Sequence, residues 1–220
     1  VGRREHGKFL MSYTTGEKDG FVLNLNGEWG SGKTEFLKRM YTGLSKNHPV
    51  IYIDAWESDF TNDPLLVVAS ELINQLNIMF EVNGDDLDRV KSCLGKFVKG
   101  AAIAGAGFLT KTLVDDASIG IESVKAYTET GSKEYLEMLK HGYSSQIEAI
   151  DEIRKELENL AESLESQYNK QLPVVVLVDE LDRCRPNYSI EMLEVIKHFF
   201  TTKNFVFVIA TDSTQLQKSI

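Results

Sequence analysis

The chain has 220 residues, 42% of them hydrophobic, which suffices for one well-formed core and excludes a disordered segment. A formal net charge of −9, with no run of interleaved basic and aromatic residues, gives no strong nucleic-acid signal. Two cysteines, Cys93 and Cys184, exclude a secreted disulfide scaffold, and the four histidines at 6, 48, 141 and 198 show no metal-ligand spacing, so the composition fits a soluble intracellular domain without a signal peptide.

The first predicted element is a short strand, Phe21 to Asn26, whose FVLNLN alternates apolar and polar residues. It runs directly into Gly27-Glu28-Trp29-Gly30-Ser31-Gly32-Lys33-Thr34, which fits the G-x-x-x-x-G-K-[ST] pattern at every fixed position. Glycines there permit positive φ and close approach of the backbone, and the helical spacing from Glu35 to Leu44 supplies the N-terminus at which backbone amides converge on phosphate oxygens. Lys33 is expected to reach the β and γ phosphates of ATP, and Thr34 to hold Mg2+.

Val50 to Asp54 reads as a second strand and Pro64 to Phe80 as a helix packed on the sheet. A long segment without a phosphate or carboxylate motif follows, from about residue 83 to 171. Its apolar centre, Gly100 to Leu109, is bordered by Lys96, Lys99 and Lys111 and falls well short of the about 20 apolar residues a membrane span needs. Residues 88–145 are expected to form helices packed on the domain or on a partner, with Ile103, Phe108 and Leu109 substantially buried. Ile147, Ile150, Ile153, Leu157, Leu160 and Leu164 form an apolar stripe through charged residues, the mark of a long amphipathic helix. Packing on the core or on the preceding helix is the better reading of that stripe, since too few heptads are visible for a coiled coil.

Val174 to Val178 is an unbroken apolar run, as in a parallel strand buried on both faces, and it ends in Asp179-Glu180. Asp179 is expected to meet Mg2+ directly or through water, and Glu180 to orient and deprotonate the attacking water. Tyr188 to Phe200 reads as a helix and Phe205 to Ala210 as a fourth strand ending in Thr211-Asp212. These two polar residues are candidates for the γ-phosphate side of the site, while a polar strand end followed by an Asp-capped helix through Ser213 to Ile220 stays open beside that. Alternation of strand and helix implies right-handed crossovers and a parallel α/β sheet.

GEWGSGKT, Tyr52-Ile-Asp-Ala-Trp56, VVVLVDELDRCRP from Val174 to Pro186 and FVFVIATD from Phe205 to Asp212 together resemble the P-loop domain of the KAP family of NTPases. The resemblance implies an additional-strand (ASCE) P-loop fold in which the Phe205–Ala210 strand lies between the Phe21–Asn26 and Val174–Val178 strands, with Val50–Asp54 outermost. It implies a core in two parts, 1–82 and 172–220, around a helical insertion at 83–171. It also implies a longer natural chain, from which Val1-Gly2-Arg3-Arg4 looks trimmed and which continues past Ile220 with a further strand and sensor elements. The family's acidic pair is often two aspartates; here Glu180 is the longer side chain that activates water, which favours turnover over binding alone. Arg183 and Arg185, behind the carboxylates, are open between a role toward a neighbouring subunit and a solvent-exposed loop.

The activity expected is therefore ATP hydrolysis driving a switch or effector, cytoplasmic or peripheral to the inner face of the membrane, with bacterial antiphage defence as a setting the resemblance implies. Partners expected are ATP, an unidentified protein or further domains of the same chain, or a second copy of this chain in a homo-oligomer. A nucleotide-gated interaction or membrane-associated scaffold with little hydrolysis is the alternative. A small-molecule kinase fits less well, since it has no use for a water-activating glutamate.

Overall fold

The computed structural model describes residues 2–16, 19–61, 63–80, 92 and 148–219. Helix α1 (Arg3–Gly16) is followed by β1 (Phe21–Asn26), α2 (Lys33–Leu44), β2 (Val50–Asp54) and α3 (Pro64–Phe80). Residues 148–168 are helical and are called α4; then come β3 (Val174–Asp179), a short 3-10 turn (Leu181–Arg183), α5 (Pro186–Phe199), β4 (Phe205–Thr211) and α6 (Ser213–Ser219). Helices α2 and α5 begin earlier than their apolar spacing suggests. Gly32 in the left-handed region starts α2 at Lys33, and Pro186, whose fixed φ suits the first turn, starts α5. Helix α1 was not expected, because its apolar residues are few and Phe9 and Tyr13 are exposed; packing on α2, with Met11 lying against Gly43, holds it in place.

The four strands form one parallel sheet in the order β1-β4-β3-β2. Thus β4 lies between the P-loop strand and the carboxylate strand, and β2 is outermost, as expected. The two central strands are buried along their whole length, which is why VVVLVD and FVFVIAT read as unbroken apolar runs. Edge strand β1 instead alternates half-buried with exposed residues.

Successive side chains of each strand feed two cores, one on each face of the sheet. On one face Ile51, Ile53, Val176, Val178, Phe205 and Phe207 pack with α3, α4 and α5. On the other, Val50, Val175, Leu177 and Val208 pack with Leu37, Met40 and Leu44 of α2. Ile153, Leu157, Leu160 and Leu164 of the apolar stripe are all buried in the first core, so the described part of the amphipathic helix packs on the sheet side of the domain. The outer edge of β2 is closed by Gln75 of α3, whose amide accepts from Tyr52 N at 3.0 Å and donates to Tyr52 O at 2.7 Å.

Residues 81–91 and 93–147, which include Gly100 to Leu109 and Cys93, lie outside the described residues, as does Ile147. Among the described residues no helix is long and apolar enough to cross a membrane.

Candidate functional site

Parallel register brings the C-terminal ends of the strands to one edge: Asn26 pairs with Thr211 and Asp54 with Asp179. Ligand sites of open parallel sheets form at this edge, where loops and helix N-termini gather. Here it collects the glycine loop after β1, the carboxylates after β3 and the polar end of β4.

The loop is anchored by Gly27 N, which donates to Thr211 O at 3.1 Å. Gly30 and Gly32 take φ values of 80° and 87°, a region in which a side chain is strained, so glycine is required at both turns. Helix α2 starts immediately behind, and its opening amides have no acceptor within the helix. Lys33 folds back over the loop, donating to Gly27 O at 2.7 Å and Glu28 O at 3.4 Å, with Asp182 Oδ2 at 3.7 Å. An ammonium resting on carbonyls inside a ring of glycine backbone is placed to neutralise a polyphosphate.

Thr34 Oγ1 donates to Glu180 Oε1 at 2.9 Å, which joins the glycine loop to the carboxylate strand across 146 residues of sequence. Glu180 stands at φ 60°, ψ 22°, an uncommon conformation for a residue with a side chain and one that turns its carboxylate toward α2. Its other oxygen, Oε2, lies 2.5 Å from Arg183 Nε. The Arg183 guanidinium is in turn flanked by two exposed tryptophans, 6.0 Å from the Trp29 ring and 5.8 Å from the Trp56 ring.

Asp179 is buried to 1% exposure, with Oδ2 accepting from Tyr52 OH at 2.8 Å and Oδ1 from Glu180 N at 2.9 Å. Burial, and then the bond to Asp179, raise the pKa of the Tyr52 phenol, which keeps it a donor. Thr211 is also buried; its hydroxyl donates to Asn24 Oδ1 at 3.0 Å and its carbonyl holds the loop, so it ties β1 to β4 at the base of the site. Asp212 accepts from Trp29 N at 3.2 Å and from Thr214 N and Gln215 N, both at 3.1 Å. The Gln215 amide first, then those of Trp29 and Thr214, hold the Asp212 carboxyl below the ordinary carboxylate value. It therefore caps α6 and pins the tryptophan of the loop at once.

Cys184 is buried, and burial first, with Asp59 and Asp54 next, pushes its thiol up to about 12, so it packs rather than reacts. Arg185 engages Asp59 with Nε to Oδ1 at 2.9 Å and backbone N to Oδ2 at 3.0 Å, which fastens the turn after β2 to the start of α5.

Thr34, Asp179 and Glu180 offer hard oxygen donors of the kind Mg2+ takes. Among the described residues no group of three or more His, Cys, Asp or Glu is placed to hold a metal. Phosphate oxygens and water would complete the sphere. Tyr52 is the site residue to which sequence reasoning gave no role; a bulky phenol inside an otherwise aliphatic strand was the available signal.

The family model for the KAP family P-loop domain matches residues 8–220. No curated protein matches.

Proposed function

We propose that this chain, which belongs to the KAP family of P-loop domains, binds MgATP on the loop from Gly27 to Thr34 and hydrolyses it with Glu180 as general base. The observation that carries the proposal is the meeting of Thr34, the residue after Lys33 at the start of α2, with Glu180 at 2.9 Å. It supports reading Glu180 as proton acceptor, Thr34 as metal-ligating hydroxyl and Lys33 as phosphate-compensating cation at one edge of the sheet. The strand order supports assignment to the additional-strand (ASCE) class, whose water-activating residue is a glutamate at this position.

Lys33 and the opening amides of α2 would bind and orient the phosphates. Thr34, with Asp179 directly or through water, would hold Mg2+, which when bound supplies positive charge against the leaving diphosphate. Glu180 would position a water and take its proton, while Tyr52 and the Glu180 amide keep Asp179 in one orientation. Phosphoryl transfer needs little more than such positioning and charge neutralisation. The segment from 83 to 171 is the proposed recipient of the resulting change, which makes the domain a nucleotide-driven switch.

Glu180→Gln separates binding from turnover, since the amide keeps the shape and cannot accept the proton. Phosphate release is expected to fall by about 10² or more, the scale of a lost general base, with MgATP affinity unchanged or tighter. Unchanged phosphate release would move the base to another carboxylate.

A further inference from the structure

Both oxygens of the Glu180 carboxylate are occupied by protein: Oε1 by the Thr34 hydroxyl at 2.9 Å and Oε2 by Arg183 Nε at 2.5 Å. Each oxygen keeps a further lone pair, but a general base works by taking a proton from water, and a contact that crowds the oxygen or compensates its negative charge slows that step, so one of these two contacts competes with it. Thr34 has no reason to be that one. Its hydroxyl carries one proton and two lone pairs, so it offers an oxygen to a cation while still donating to the carboxylate. Arg183 is the contact that competes with catalysis.

We propose that Arg183 is a latch on the general base: it pairs with Glu180, and a polyphosphate on the glycine loop draws the guanidinium away only part of the time, so that the pair slows proton uptake even with nucleotide bound; this rests on Glu180 being the base. Three features place the latch where nucleotide would trip it. Trp29, one of the two rings flanking Arg183, belongs to the phosphate loop itself and is tied through its amide to Asp212. Trp56, the other ring, follows β2 and is held at its amide by Asp54 Oδ1 at 3.1 Å. Arg183 itself sits on the short turn directly behind Glu180, with its side chain 41% exposed and so able to swing. A guanidinium between two exposed rings keeps its charge uncovered toward solvent, and an arriving phosphate offers it a bidentate partner of higher charge than one carboxylate.

Arg183→Met tests the latch, because methionine keeps an apolar contact with both rings and removes the charge and every donor. The latch predicts a rise in basal phosphate release of about twofold to fivefold, the range a partly exposed ion pair spans. The rise should appear in kcat, and should vanish when Glu180→Gln is added. A second readout does not need turnover. The chain has two tryptophans, so Trp29→Phe leaves Trp56 alone to report on the guanidinium stack. Its emission should change on adding a non-hydrolysable MgATP analogue, and the change should be lost when Arg183→Met is combined with it. A fall in kcat in Arg183→Met would overturn the latch and make the arginine a stabiliser of the reacting phosphate. Unaltered kcat, or an emission change that survives Arg183→Met, would also overturn it. Should the analogue not bind, or Glu180→Gln leave phosphate release unchanged, the nucleotide site or the base assignment has failed instead.

Discussion

At the scale of single residues, the phosphate loop was legible because its chemistry is contiguous: Gly27 to Thr34 carry the turn, the cradle and the cation within one short run. Contacts that tune the carboxylates were not legible. Tyr52 and Asp179 are 127 residues apart and meet only because β2 and β3 pair in register. His48 is a comparable case with a measurable consequence. The ring is buried between α2 and β2, Nδ1 donates to Pro173 O at 3.3 Å, and burial lowers its pKa below the ordinary 6.5. Folding therefore disfavours the charged ring, and as pH falls through 6.5 the unfolded chain takes up the proton first. Stability should decline from pH 7 to 5.5, by at most about 1.4 kcal/mol per pH unit for this one proton. His48→Asn, which retains a donor for Pro173 O and does not titrate, should flatten that part of the profile in urea melts; an identical slope would mean that His48 is not its source.

At the scale of elements, strands and helices with strong periodicity were readable, and the helix opening the chain was not. Strands β3 and β4 show their burial as unbroken apolar runs. Helix α1 buries Thr14 and half-buries Met11 while exposing Phe9 and Tyr13, so its stripe is too weak to separate from a polar loop, and tertiary packing decides. The approach of β1 to the end of α5 also depends on a residue whose reason sequence does not disclose. A Cβ on Gly20 would press on the backbone carbonyls of Phe200 and Thr202, 2.6 Å from the latter oxygen. Neither carbonyl is the movable tip of a side chain, so Gly20→Ala should destabilise the fold by about 1–3 kcal/mol, the usual cost of overpacking. A denaturant midpoint at or above that of the parent would show that this junction has slack.

At the scale of the whole molecule, the family resemblance carried the strand order, which neither composition nor periodicity fixes. With that order, the loop after β1 and the carboxylates after β3 fall on one edge of the sheet, and Thr211 becomes the tie between its two halves. Long-range geometry at this edge rests on the parallel register, which a linear reading of motifs does not contain. The central claim is that this edge is a nucleotide site with Lys33 as its cation. Isothermal titration calorimetry of MgATP into the parent and into Lys33→Ala tests it most directly, with circular dichroism confirming that both are folded. The parent should bind with one site per chain, and Lys33→Ala should lose measurable binding because the β and γ phosphates lose their compensating charge. Affinity of the folded variant within about threefold of the parent, a difference well under the tenfold that 1.4 kcal/mol represents, would contradict the account.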